Sequence, residues 1–476
     1  MAGLRFQDRM SDSDALMWTI EKDPMLRSTI TAISVLDRAP ATERLTHLLD
    51  RGTRLVPRMR QRVRANPLSV APPRWEVDPH FDLSYHLRWV RAGGDRDLRS
   101  VLDLAQPMAM SGFDRARPLW EMVVVTDMAN GGAALIMKIH HAITDGVGAV
   151  QIALVLFELE REAALTEMPD APPVAVMDQR ARFIDAFEHE QRRNLGIAKR
   201  LPVVAASTVV AAVSDPVGSA RRLGETVASV AKITAPANVP LSPVMTGRSL
   251  SAHFDTVTLS LSEAKAAAKA AGGRLNDAFL AATAAGLRRY HEELGAPITA
   301  LRVSMPINLR VEGEGDATGN NFAPARFVVP VDIDDAAESV ASMRELVAAQ
   351  RAEPALSMVE PLARVLNRLP TSVTAGLFGA MLKGVDLVAS NVPGAPIELF
   401  TAGARIEAMF ALGPLAGAAV NVTLLSYLDD VHIGINVDPA AVADPERFVQ
   451  CYRAGWDDVL ALARPAPTPK RRRAKA

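Results

Sequence analysis

Leu135-Ile136-Met137-Lys138-Ile139-His140-His141 runs directly into Ala142-Ile143-Thr144-Asp145-Gly146, and this passage organises the reading of the chain. Ala133–His141 is rich in branched apolar residues and reads as a strand. Met122–Asp127 reads as another, with Asn130-Gly131-Gly132 as the hairpin turn between them. Gly148–Glu160 reads as a helix with Val150, Ala153, Leu154 and Phe157 on one face. The HHAITDG segment therefore occupies a strand-to-helix turn. Successive strand side chains point to opposite faces, so His140 and His141 cannot both serve one site while the strand stays regular. One faces packing and the other a cleft. Histidine suits a general base because its ordinary pKa lies near neutrality. Thr144 or Asp145 stands where it can cap the next helix, and Gly146 and Gly148 permit tight backbone geometry.

Outward from this turn, Thr29–Leu36 reads as a strand and about Ala41–Arg51 as a helix. Met168-Pro169-Asp170-Ala171-Pro172-Pro173 marks a linker. A helical stretch follows from Asp178 to about Lys232, with interruptions expected at Pro202 and Pro216, then a Pro- and Ser-rich loop from Pro236 to Ser249. A second αβ region follows. Phe254–Leu261, Leu301–Met305, Ala325–Val331, Asn421–Leu428 and Val431–Val437 read as strands. Ser262–Ala271, capped by Ser262, Asn276–Leu294 and Phe448–Ala463 read as helices. The expected units are residues 1–166, a helical connection at 167–249, a second αβ unit at 250–465 and a basic disordered tail at 466–476. The two units share an element mix without a residue-level repeat, and the seam between such halves is where clefts form.

The 476 residues exceed one ordinary core, and 49% hydrophobic with 22% charged residues is the balance of a globular protein. The net charge is −1, but the five cations of Lys470–Ala476 leave the rest at −6, which argues against nucleic acid as a partner. The tail itself suits contact with an anionic membrane or polyphosphate, and reads more readily as a disordered solubilising end. Cys451 is the single cysteine, so neither a disulfide framework nor a cysteine metal site is expected. The N-terminus lacks the apolar core of a secretory signal. No apolar run reaches the roughly 18–20 residues of a membrane span. Leu201–Val213 is too short, and Thr371–Ser390 is broken by Lys383 and Asp386. A cytoplasmic location is expected, with any membrane contact peripheral.

A metal site is a weak rival for the histidine pair, since no second His or Cys cluster has ligand spacing. The bland reading is a satisfied core histidine beside an Asp cap. The complete HHxxxDG pattern at a strand-to-helix turn favours catalysis over both.

HHAITDG resembles the active-site motif of the CoA-dependent acyltransferase superfamily, which includes chloramphenicol acetyltransferase and peptide-synthetase condensation domains. Further blocks resemble the bacterial wax ester synthase/diacylglycerol acyltransferase family. They are Pro118-Leu119-Trp120-Glu121, Asn276-Asp277 and Ser390-Asn391-Val392-Pro393-Gly394. Ser13-Asp14-Ala15, Phe81-Asp82-Leu83, Pro306–Arg310 and Gly319-Asn320 match more weakly. The similarity spans about residues 11 to 463. It implies an α/β fold of two chloramphenicol-acetyltransferase-like mixed-sheet domains, with the active site and a tunnel at their interface.

The resemblance also implies roles. His141 would be the general base, deprotonating an alcohol that attacks a fatty acyl-CoA thioester, with His140 beside it. Asp145 would hold the loop, with Arg310 as a candidate partner, and Gly146 would complete the turn. Asn276, Asp277, Ser390 and Asn391 would line the substrate side. Capping explains Asn276-Asp277 as readily, a strand end explains Ser390–Gly394, and Pro118–Glu121 reads as a brace. The implied acceptors are diacylglycerol or a long-chain alcohol, with acyl-CoA as co-substrate and no separate cofactor or metal. Contact with a membrane or lipid-body surface would be peripheral. Ala278, where the family often has Val, and Ile307-Asn308-Leu309, where Val-Ser-Val is common, depart from the pattern and put substrate preference in question. No GxSxG nucleophile motif, P-loop or dinucleotide fingerprint occurs. Arg54–Arg64 is a basic run that suits CoA phosphates, lipid headgroups or simple solvation. Two rivals stay open: a condensation-type enzyme acting on carrier-bound chains, and a lipid-binding homologue without turnover.

Overall fold

The computed structural model describes residues 7–66, 71–143, 156–215, 239–308, 322–353 and 359–463, with isolated positions between them. Asp145, Gly146, Arg310, Gly319-Asn320, the basic tail and most of the expected Gly148–Glu160 helix lie outside the described residues.

Fourteen strands are described. They are β1 Thr29–Leu36, β2 Gln61–Arg64, β3 Arg74–Val77, β4 Leu87–Arg91, β5 Trp120–Thr126, β6 Ala133–His140 and β7 His253–Ser260. They continue with β8 Ala300–Asn308, β9 Phe322–Pro330, β10 Leu387–Val392, β11 Phe400–Thr401, β12 Ala404–Leu412, β13 Val420–Tyr427 and β14 Asp430–Val437. One six-stranded sheet has the order β11-β12-β1-β6-β5-β4, and another has β7-β14-β13-β10-β8-β9. Both are mixed: β4 runs parallel to β5, and β10 parallel to β13 and β8, among antiparallel neighbours. The fold is therefore α/β with two sheet-bearing halves. Strands covered on both faces read as nearly continuous apolar runs, as in the Val123-Val124-Val125 centre of β5.

Sheet membership departs from the expected boundary at 250. β11 and β12 belong to the first sheet, with β12 antiparallel to β1 from Thr31↔Leu412 to Leu36↔Ile406. The strand crosses because its apolar residues complete the first core: Ile406 pairs with Leu36 and Phe410 with Ile33, each within a buried cluster of that half. The halves then touch closely. A Cβ on Gly434 of β14 would lie 2.1 Å from the Ala411 carbonyl oxygen, so only glycine allows this approach. Asn421 and Asn436 donate to the carbonyls of Pro414 and Gly413 at 2.8 and 2.9 Å, and the Tyr427 hydroxyl donates to Ile406 O.

Three local expectations need correction. The Gln179–Ser214 helix continues through Pro202, where the ring removes one backbone donor without ending the helix. The cap of the Leu261–Ala270 helix is Ser260, whose side chain accepts from Glu263 N–H, rather than Ser262. Before Glu160 the chain already pairs as an isolated bridge, Glu158 with Phe400. The Pro236–Ser249 loop is fastened by buried carboxylates: Asp386 accepts from the N–H groups of Leu241, Ser242 and Arg302, and Asp438 from Ser249.

Candidate active site

β6 lies in the middle of the first sheet, between β1 and β5, and ends at His140. Thr29 pairs with His140 across β1, and His140 N–H donates to Leu119 O at 3.0 Å. His141 opens a 3-10 turn, His141–Ile143, with its N–H donating to Ser28 O at 2.8 Å. The two histidines differ in place and burial: His140 closes the strand, and His141 lies beyond it in the turn. His140 is wholly buried, whereas His141 is half-buried.

His140 sits among Trp18 and Phe113, both edge-on to its ring. Ala142 N–H donates to its Nδ1 at 2.9 Å, so that nitrogen carries no proton. Nε2 therefore bears the hydrogen and stands 3.0 Å from Glu21 Oε1. Burial pushes the Glu21 carboxyl up, but His140, the Ser28 N–H and Arg115 together hold it below the ordinary carboxylate range. The Arg115 guanidinium lies 4.2 Å above the Trp18 ring. Lys138, two residues before His140 and on the same face, is also wholly buried. Its ammonium donates to Ser111 Oγ at 2.9 Å, approaches Glu121 at 3.5 Å and lies over Phe113. Burial lowers the Lys138 pKa, and Glu121 opposes that shift.

Pro118–Glu121 braces this strand. Trp120 is wholly buried, donates to Met59 O at 2.8 Å and stacks on His86 at 4.5 Å. The basic run is neither a free phosphate site nor a solvated face. Arg58 is buried over the Trp75 ring, and burial pushes it down to about 9. Arg54 and Arg60 share Asp50, and Arg62 lies 3.8 Å from Asp78.

In the second half, Asp277 is buried and accepts from Arg274 N–H at 2.8 Å, closing the first turn of the Leu275–Glu293 helix. That is the work of a cap. Asn276 and Asn391, distant in sequence, come together: Asn391 Nδ2 donates to Asn276 Oδ1 at 3.4 Å. Asn276 Nδ2 lies 4.0 Å from the Met305 sulfur. Ser390 is half-buried and Asn391 exposed near the end of β10, opposite Thr423 and Leu424 of β13. Beyond them, a Cβ on Gly394 would come 1.8 Å from Ser426 O, so the turn demands glycine.

Glu21, Trp18, Ser28 and Phe113 belong to the His140 surroundings, yet no motif marks them. Glu21 follows the Asp12–Ile20 helix as an ordinary acidic residue, and only tertiary contact reveals its partner. A cleft of about 70 Å³ opens at the seam, lined by Thr29, Thr31 and Leu412 of the first sheet and by Phe254 and Asn436 of the second. Thr31 Oγ1 and Asn436 Oδ1 are buried there without a hydrogen-bond partner among the described residues. Among those residues no group of three or more His, Cys, Asp or Glu side chains is arranged to hold a metal ion, and no helix is long and apolar enough to cross a membrane.

The model of the wax ester synthase/diacylglycerol acyltransferase catalytic domain matches residues 10–279, and that of the family's C-terminal domain matches residues 318–458. A Mycobacterium tuberculosis protein provisionally named diacylglycerol O-acyltransferase is 37% identical over 97% of this chain and 94% of its own length. Among solved structures, the wax ester synthase/diacylglycerol acyltransferase from Marinobacter aquaeolei VT8 superposes with a TM-score of 0.62 at 20% identity, covering 96% of this chain and 99% of that one. The starter condensation domain of rhizomide synthetase, in complex with C8-CoA, gives 0.58 at 13% identity, over 96% and 95%. At those identities the two structures speak for the fold.

Proposed function

Because the chain belongs to the wax ester synthase/diacylglycerol acyltransferase family, and is thereby an acyltransferase, we propose that His141 is the base that activates its alcohol acceptor. The acyl donor in this reading is a long-chain acyl-CoA. The acceptor is diacylglycerol, giving triacylglycerol, or a long-chain alcohol, giving a wax ester. The observation that carries it is the division within the histidine pair. His140 Nδ1 accepts from Ala142 N–H and its Nε2 stands 3.0 Å from Glu21 Oε1 in a closed pocket, whereas His141 is half-buried at the turn beyond the strand.

His141 takes the hydroxyl proton as the acceptor oxygen bonds to the thioester carbonyl carbon. The tetrahedral intermediate then collapses, the carbon–sulfur bond breaks, and the imidazolium returns its proton to the CoA thiolate. Such a base contributes roughly 10²–10⁴ in rate. Asp145 and Gly146 shape the loop in this reading, and Arg310 is the proposed partner of Asp145. Asn276, Ser390 and Asn391 line the acceptor side, while Asp277 supports them as a cap.

The substrates approach through a tunnel between the halves, a reading supported by the cleft that both halves line. The complex of the condensation-domain neighbour with C8-CoA supports an acyl-CoA in this fold. No cofactor beyond the two substrates enters the scheme. Peripheral contact with a lipid-body or cytoplasmic membrane surface is supported by exposed Phe183, Ile184 and Phe187. The test is purified protein with palmitoyl-CoA and either dioleoylglycerol or hexadecanol, following free thiol. Acceptor-dependent release that collapses in His141→Ala is expected. A wild type inactive with both alcohols overturns the acceptor assignment, and an unimpaired variant overturns the base.

A further inference from the structure

We propose that Glu21 is a positioning residue that holds the His141 turn through His140 and Ser28, an inference that rests on reading His141 as the base. One carboxylate oxygen reaches both backbone contacts around that residue. Glu21 Oε1 accepts the Ser28 N–H at 2.5 Å, and the Ser28 carbonyl accepts the N–H of His141 at 2.8 Å. The same Oε1 lies 3.0 Å from His140 Nε2, and His140 Nδ1 accepts the N–H of Ala142 at 2.9 Å. The amides of His141 and of the residue after it are thus both tied back to Glu21.

The chemistry depends on the imidazole tautomer. A neutral imidazole has one N–H, and the partner of one nitrogen decides the state of the other. A carboxylate at Nε2 draws the hydrogen there and leaves the Nδ1 lone pair for Ala142. Without that acceptor, the tautomer protonated at Nδ1 becomes accessible, and it would set one donor against another at the turn. His140 has no exposed surface and is walled by Trp18 and Phe113, so water is poorly placed to substitute. A shift of the turn would move the His141 imidazole off its line of proton transfer, where about 1 Å of misplacement can cost about 100-fold in rate.

The test compares Glu21→Leu, which removes the acceptor, with Glu21→Gln, which keeps one oxygen. Acyl transfer from palmitoyl-CoA, ring-nitrogen NMR of His140 and amide exchange at Ala142 are measured in each. Glu21→Leu is expected to lose about 100-fold in kcat with little change in KM, to populate the Nδ1–H tautomer and to exchange the Ala142 amide faster. Glu21→Gln is expected to keep the native tautomer and near wild-type kcat. A Glu21→Leu protein with native kcat and slow Ala142 exchange overturns the proposal. So does a folded Glu21→Gln protein with the Nδ1–H tautomer, even where Glu21→Leu does not fold. Full turnover in His141→Ala would remove the base instead, while the tautomer and exchange readouts would still judge the hold of Glu21 on the turn.

Discussion

The two halves hold their candidate site residues in different ways. In the first, His140 is sealed from solvent, its Nδ1 accepts from Ala142 N–H at 2.9 Å and its Nε2 stands 3.0 Å from the Glu21 carboxylate. In the second, Asn276 and Asn391 meet through one 3.4 Å hydrogen bond, and Asn391 is exposed. Buried hydrogen bonds in a low dielectric resist displacement, whereas a long, wet one exchanges with water at little cost. On the proposed function, the contrast suits a rigid half that aims a base and an adjustable half that receives acceptors of different shape.

The largest test of this contrast is His141→Ala, expected to lower acceptor-dependent thiol release by about 10²–10⁴ while leaving the fold intact. Circular dichroism beside the assay distinguishes lost chemistry from lost structure. His140→Ala should act on stability as well as on rate. It strips Glu21 of its imidazole in a closed pocket, a change that costs about 2 kcal/mol in urea unfolding, and its kcat should fall less than that of His141→Ala. Equal loss of kcat in the two variants would erase the division of labour. On the second side, Asn391→Ala should change kcat/KM for the acceptor by at most about tenfold, since one exposed hydrogen bond is worth about 1 kcal/mol. A loss as deep as that of His141→Ala would make this wall part of the chemistry.

The smallest expected effect is in acid. The Glu21 carboxyl, facing His140 and Arg115, titrates below its ordinary range in the fold. Its contribution to stability is therefore full above the unfolded-state pKa and fades as pH falls through the lower, folded one. Acid unfolding of Glu21→Gln should lack this component, so its stability should vary less with pH in that window than that of the wild type.

Much of the architecture was legible in local pattern. β1 was expected over the residues it occupies, and β6, β13 and β14 within about a residue of their ends, because alternation and branched apolar residues act over neighbouring positions. The Asp12–Ile20 helix, the β2–β3 hairpin and the Leu98–Met110 helix carry little local signal. The first has little amphipathic contrast, the hairpin strands are four residues each and heavily charged, and Pro107 lies inside the third. The arginines of the basic run are spaced like a surface stripe, while Asp78 and the Trp75 ring that hold Arg62 and Arg58 come from later in the chain.

By itself the sequence determined the histidine pair and its place at a strand's end, both consequences of neighbouring residues. Resemblance in its ordered blocks indicated the family. Only the tertiary structure decided that β12 crosses to the first sheet, that Asn276 meets Asn391, and that Glu21 faces His140. Each of those is a contact between segments far apart in the chain. No local period encodes such a contact, because packing of the whole core selects which distant side chains meet.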